Sequence, residues 1–153
     1  MPRVGAHSVD PELGLLLRQA HRRAAAVAAA ALAPLELSGR HYGVMMLLAR
    51  DGTSTQTQLI AALGSDKAGM VRTVDDLDRR GFVRRVQSPK DRRLYHLSLT
   101  DAGLQSYADA RKLADTAARE VFAGLTAAEQ AALGDLLSRV ARPPEPTRSE
   151  SSR

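Results

Sequence analysis

Cysteine is absent from the 153 residues. Disulfides, thiolate metal sites and thiol redox switches are therefore excluded. Tryptophan is absent too, and aromatic residues make up only 3% of the chain. A core must be built from Leu, Val and Ala, and that composition favours helices. No apolar run approaches the roughly 20 residues that a membrane span needs. The segment Met1 to Ser8 has no apolar signal core, so the expected location is the cytoplasm. Catalytic signatures are missing as well. There is no Gly-rich phosphate loop, no Gly-x-Ser-x-Gly elbow and no His-Glu-x-x-His pair. His7, His21, His41 and His96 are scattered, without His-x3-His spacing, so no metal site is expected. No enzyme and no cofactor are expected.

What is present is basic charge in one place. The chain carries a net charge of +5, and hydrophobic residues make up 44%, enough for a core. The segment from 53 to 99 holds nine Lys or Arg against five Asp, so nearly all of the excess lies there. A local cationic surplus of this kind is the footprint of a polyanion site.

The periodicity predicts helices separated by one hairpin. Asp10 and Pro11 suit a helix start. Leu13, Leu17, Ala20, Ala24, Val27 and Ala31 then form a helical stripe that Pro34 closes. Ser38 caps a second helix with Val44, Leu47 and Leu48 inward, ending at Asp51-Gly52. Thr55 and Gln58 have capping-box spacing and open a short helix through Leu63. After the turn Gly64-Ser65-Asp66, a helix runs to about Arg80 with Met70, Val74 and Leu77 inward, and Gly81 at its C′ position. Tyr95, Leu97 and Leu99 alternate with polar residues, the mark of a half-buried strand. Thr100 caps a long helix to about Phe122. Thr126 and Glu129 open a last helix with Leu133, Leu136, Leu137 and Val140 on one face. The Ser-, Pro- and charge-rich tail from Glu145 is expected to be disordered.

Two short helices joined by Gly64-Ser65 have the spacing of a helix-turn-helix, whose second helix reads bases near its N-terminus. Those residues are Lys67, Ala68, Gly69, Val71 and Arg72. Arg72 suits a bidentate contact to guanine, and Ala68 and Val71 suit a thymine methyl. Thr55 and Gln56, with free amides behind them, suit a backbone phosphate. The hairpin from 80 to 103 carries Arg84 on its first strand and Lys90, Asp91, Arg92 and Arg93 at its tip. Lys67, Arg84, Lys90 and Arg92 are expected on phosphates. Arg92 or Arg93 at a narrow tip can enter the minor groove. Asp91 is expected to pair with Arg93 and hold its guanidinium. A charged turn alone would be unremarkable surface; after a helix-turn-helix it points to double-stranded DNA.

At these residues the chain resembles the MarR (multiple antibiotic resistance regulator) family of winged-helix transcription factors, from about Leu37 to Ala141. The resemblance rests on Thr55-Gln56-x-x-Leu59, Met70 to Leu77, Asp78 to Arg85, Asp91-Arg92-Arg93, Leu99 to Gly103, and Leu125-Thr126-x-x-Glu129, in that order. It implies a mainly α fold with a small β-hairpin wing: a winged helix-turn-helix plus a helical dimerisation domain. The expected layout is a flexible arm over 1–10, a dimerisation domain from 11–36 and 101–142, a DNA-binding domain over 37–100, and a disordered tail over 143–153. It also implies a homodimer on a pseudo-palindromic operator, associated with a bacterial or archaeal nucleoid, with the Asp-x-Arg motif sending Arg93 into the minor groove. Ala68, Gly69 and Val71 depart from the small hydroxylated residues common in the family. The absence of Cys excludes the peroxide-sensing branch, and the absence of Trp argues against the urate-sensing one.

Many family members release DNA on binding a small phenolic or other anionic effector. Candidate lining residues here are His21, His41, Tyr42, Met45, Met46, Tyr107 and Arg111. His41 or Arg111 would meet a carboxylate, and Met45 and Met46 would pack a ring. The expected function is a ligand-responsive repressor. The alternative is a winged-helix module that binds an acidic protein partner, against which Arg92 and Arg93 argue.

Overall fold

The computed structural model describes residues 10–142. The order of elements is α1 (Glu12–Leu32), a 3-10 turn (Ala33–Leu35), α2 (Gly39–Asp51), β1 (Ser54–Thr55), α3 (Gln56–Leu63), α4 (Lys67–Arg79), β2 (Val83–Gln87), β3 (Tyr95–Leu99), α5 (Asp101–Val121) and α6 (Ala127–Ala141). Two compact units result, divided after Val121. No helix among the described residues is long and apolar enough to cross a membrane.

Local chemistry sets most of the boundaries. The Asp10 carboxylate accepts the Glu12 amide at 2.9 Å and starts α1. Pro34 cannot donate into the ladder, so α1 gives way to the 3-10 turn. Thr55 and Thr126 each accept the amide three residues on, and Gln58 and Glu129 reach back to the cap amide. Each such box satisfies two of the free donors at a helix start and contributes about 1 kcal/mol. Thr100 begins α5 by accepting the Gly103 amide at 3.0 Å. Gly103 itself permits a close approach, because a methyl group there would overlap the Phe82 carbonyl.

In the first unit, α1 lies along α5, and α2 packs between α5 and the helix-turn-helix pair α3–α4. Leu32, Met45, Leu48, Leu59, Met70, Leu77 and Leu97 are fully buried at the centre. Each such side chain contributes roughly 1.5–3 kcal/mol by leaving water. The sheet has the order β1-β3-β2, all antiparallel. The hairpin is the one the sequence predicts; β1 is an addition. Its two residues pair Ser54 with Leu97 and Thr55 with His96. Two residues carry no periodicity, so this strand exists only through its partner.

Several leucines of α1, two of them (Leu13 and Leu17) from the stripe, are not covered in the first unit. Leu13, Leu15, Leu16 and Leu17 are each more than 40% exposed. In the second unit α6 buries no residue, and Leu136, Leu137 and Val140 are exposed. The arm and tail expected to be disordered fall outside the described residues, apart from Asp10.

Candidate nucleic-acid interface

The turn between α3 and α4 is built by Gly64, in the left-handed region at φ 59°, and by Asp66. Asp66 caps α4 by accepting the Gly69 amide at 2.6 Å. That bond holds the Asp66 carboxyl below its usual range, so the group stays ionised. Lys67, Ala68 and Arg72 are exposed on the first turns of α4, and Val71 is half-buried. Gly69 is a correction. It is buried beneath the Arg40 guanidinium, which a methyl group there would overlap, so it presents no surface to a base. Thr55 and Gln56 are half-buried at the start of α3, with the Thr55 oxygen engaged by the Gln58 amide at 3.2 Å.

The hairpin turn is closed by its own backbone. The Ser88 amide donates to the Leu94 carbonyl at 2.8 Å and the Leu94 amide to the Asp91 carbonyl at 3.0 Å. Gln87 donates to the Arg92 carbonyl at 2.6 Å. Asp91 differs from expectation. Its carboxylate accepts the Arg93 backbone amide at 2.9 Å and has no ion pair with the Arg93 guanidinium among the described residues. Two residues of separation bring a carboxylate to an amide more easily than to the end of a long side chain. Asp91 therefore shapes the turn, and the side chains of Lys90, Arg92 and Arg93 are exposed. Arg84 is exposed on β2 and donates to the Ser98 hydroxyl at 3.0 Å.

Folding sorts the basic cluster into two groups. Arg79 pairs with Asp76 at 2.9 Å, and Arg85 pairs with Asp75 and, at 3.2 Å, with Asp78. Arg80 donates to the Leu35 and Glu36 carbonyls at 2.9 Å each and sits 4.9 Å from the Phe82 ring centre. Those carbonyls belong to a turn that Glu36 enters at φ 54°, so Arg80 holds the connection from α1 to α2. Lys67, Arg72, Arg84, Lys90, Arg92 and Arg93 make no ion pair with any described residue. The unneutralised cations are thus those at the start of α4, on β2 and on the turn. An exposed, uncompensated cluster attracts phosphate more strongly than Arg79 and Arg85, whose charges are offset, or Arg80, which is bound to backbone.

The candidate effector residues are dispersed. His21 is exposed on α1. Met45 is fully buried in the core, whereas Met46 is 39% exposed. A ligand-facing role for Met45 is therefore corrected to packing. His41 is the third residue of a capping box with Ser38: its Nδ1 accepts the Ser38 amide at 3.0 Å, and its Nε2 lies 3.2 Å from the Asp76 carboxylate. Burial holds the imidazole below 6.5, opposed by Asp76 and aided by Arg80. Its two nitrogens are occupied structurally, which corrects the carboxylate-binding role. The signal was there in Ser38-x-x-His41, although histidine is an uncommon partner in that box. Tyr42 and Tyr107 come together, with rings stacked 5.8 Å apart. Burial and the neighbouring Tyr107 raise the Tyr42 phenol above 10. Arg111 is exposed one turn further along α5 and lies 4.0 Å from Asp115. Among the described residues no group of acidic or imidazole side chains could hold a metal ion.

A capped helix-turn-helix followed by a basic hairpin, tied together in a three-stranded sheet, defines a winged helix-turn-helix protein. The sequence profile of the MarR family matches residues 35–94. A protein of Thauera aromatica named for transcriptional regulation of the hcr operon is 32% identical over 101 residues, covering 66% of this chain. The chain spans about 61% of that relative's length. A mutant of E. coli MarR complexed with operator DNA is 25% identical with a TM-score of 0.75, over 86% of this chain and 99% of the other. CouR from Rhodococcus jostii, bound to p-coumaroyl-CoA, is 28% identical with a TM-score of 0.79, over 91% of this chain and 98% of the other. The chain belongs to the MarR family and is a transcriptional regulator of the winged-helix type.

Proposed function

We propose that the chain is a homodimeric repressor that binds a pseudo-palindromic operator and releases it on binding a small anionic aromatic effector. It acts by occupying DNA rather than by catalysis. The single observation that carries this is the sorting of charge within the basic segment: the cations of α4's first turns, Arg84 and the hairpin turn make no ion pair with a described residue, while Arg79 and Arg85 are paired and Arg80 is set on backbone carbonyls. Arg72 and its neighbours Ala68 and Val71 read the major groove, and Lys67 neutralises a phosphate beside them. Arg93 enters the minor groove, while Arg84, Lys90 and Arg92 take phosphates; Thr55 and Gln56 add a contact at the start of α3. The operator complex of E. coli MarR supports the assignment by likeness of fold.

The exposed leucines of α1, and separately those of α6, support self-association, because apolar surface left in water favours a partner face. A two-fold dimer then places half-sites about one helical turn, roughly 10 base pairs, apart. The stacked Tyr42 and Tyr107, with Arg111 beyond them and Met46 exposed, suit a flat anion. His21 remains a candidate on α1. The p-coumaroyl-CoA complex of CouR supports an effector that carries an aromatic group and negative charge.

A gel shift with DNA upstream of the protein's own gene tests the DNA reading, and sedimentation tests the dimer. A single retarded species from a two-fold dimer is expected. No retardation at low salt by a folded protein refutes it, and leaves the acidic-partner module as the reading to pursue.

A further inference from the structure

We propose that Arg40, the second residue of α2, is a phosphate contact of the DNA interface, seated over Gly69 at the entry of the recognition helix. It rests on the reading that α4 enters DNA, and it adds an element that lies outside both the helix-turn-helix and the wing.

Gly69 is buried, although Lys67 and Ala68 before it are exposed. What covers it is Arg40: a methyl group at Gly69 would overlap Nη1 and come within 3.0 Å of Cζ. The absence of a side chain at 69 thus makes the seat in which the guanidinium lies. Beside it, Arg40 Nη2 is 3.8 Å from the Asp66 carboxylate. Asp66 places a full negative charge at the end of the helix that must approach a polyanion. Arg40 offsets that charge.

The Asp66 contact does not exhaust the residue. Its side chain is 44% exposed, and a guanidinium has five N–H donors in a planar fork. The outer donors are open to solvent in a groove between α2 and α4 that Arg72 also lines. A planar donor fork next to Arg72, held against a helix start, matches the geometry of a phosphate. The sequence points elsewhere, since position 40 is far from the basic segment.

The full chain is titrated by fluorescence anisotropy against a labelled duplex selected by the wild type from a random library, and against a scrambled duplex. Arg40→Ala removes one contact per protomer, two per dimer. The slope of log K against log salt should become shallower by about 1.8, with affinity about thirtyfold weaker at about 0.15 M salt. The loss should be equal for both duplexes, and Arg40→Lys should recover most of it. Gly69→Ala, which displaces the guanidinium, should weaken binding less in the Arg40→Ala background than in the wild type; equal losses in both overturn the seat. Thermal unfolding checks that Arg40→Ala folds. Should it not, Arg40→Gln, which keeps the stem and a donor to Asp66, must show the same loss in slope. An unchanged slope and affinity overturn the proposal and leave Arg40 as a structural partner of Asp66. A wild type that retains no duplex defeats the DNA reading itself, and this proposal falls with it.

Discussion

Raising the salt concentration should dissociate the DNA complex along a slope set by the uncompensated cations. Lys67, Arg84, Lys90 and Arg92 are exposed, make no ion pair with a described residue, and are assigned to phosphates. Four contacts per protomer make eight per dimer. At about −0.9 per contact, log K against log salt should fall with a slope of about −7, or about −9 if Arg40 adds two more. Between 50 and 200 mM salt a slope of −7 amounts to a loss of about 10⁴ in affinity. Anisotropy titrations at five or six salt concentrations measure it. Two variants sharpen the test. Arg92→Ala should reduce the slope by about 1.8. Arg85→Ala should not reduce it, because Asp75 and Asp78 hold its guanidinium on both sides and it is not assigned to a phosphate. A slope shallower than about −3, or equal reductions from Arg92→Ala and Arg85→Ala, would refute the sorting of charge on which the interface rests.

Arg93→Ala should weaken operator binding by tenfold or more while sedimentation still shows the dimer; unchanged affinity would remove the arginine from the minor groove. Arg72→Ala should lose about 1–3 kcal/mol of discrimination at one base pair per half-site, read by competition with single-substitution duplexes. A uniform loss across all sequences would make Arg72 a phosphate contact. His41 has its folded-state pKa lowered, mainly by burial. The unfolded chain therefore binds the proton more readily, so this contribution to stability is complete above about 6.5 and is lost as pH falls through the lowered value. Urea midpoints at about pH 7.5 and about pH 5 should diverge more for the wild type than for His41→Gln, whose amide can keep the box with Ser38 without titrating. Equal divergence would show that His41 does not titrate there. Leu77→Ala empties a fully buried site on α4. It should cost about 2–5 kcal/mol, seen as a thermal midpoint lower by roughly 10 °C; a shift below about 3 °C would contradict the core assignment.

Helix starts were legible because their chemistry is local. Ser38, Thr55, Asp66, Thr100 and Thr126 all accept an amide three residues on, and each can be recognised from a few neighbours. The alternation through Tyr95 and Leu99 marked the strand for the same reason. β1 was not legible, since Ser54 and Thr55 are a strand only by pairing with Leu97 and His96. The role of Asp91 is not legible in sequence, because the choice between a nearby amide and a guanidinium depends on the path of the turn. The structural role of His41 is only half legible, because Ser38, the cap of its own helix, is local whereas Asp76 comes from α4.

The sequence by itself determined a helical chain with two capped short helices, a basic hairpin and a long helix after it, together with the family to which that order belongs. Its periods and caps act over four residues or fewer, and those distances survive any tertiary arrangement. Only the tertiary structure decided which charges are spent. From residue 79 to 93 the arginines look equivalent in sequence. Folding brings Asp75 and Asp78 against Arg85, sets Arg80 on backbone carbonyls, and leaves Lys90, Arg92 and Arg93 exposed in the turn, whereas the pair Arg79–Asp76, three residues apart on α4, is local. It also lays Arg40 over Gly69, across a gap that no local pattern spans. Coulomb pairing depends on distance in space, and the chain has no such distances until it packs.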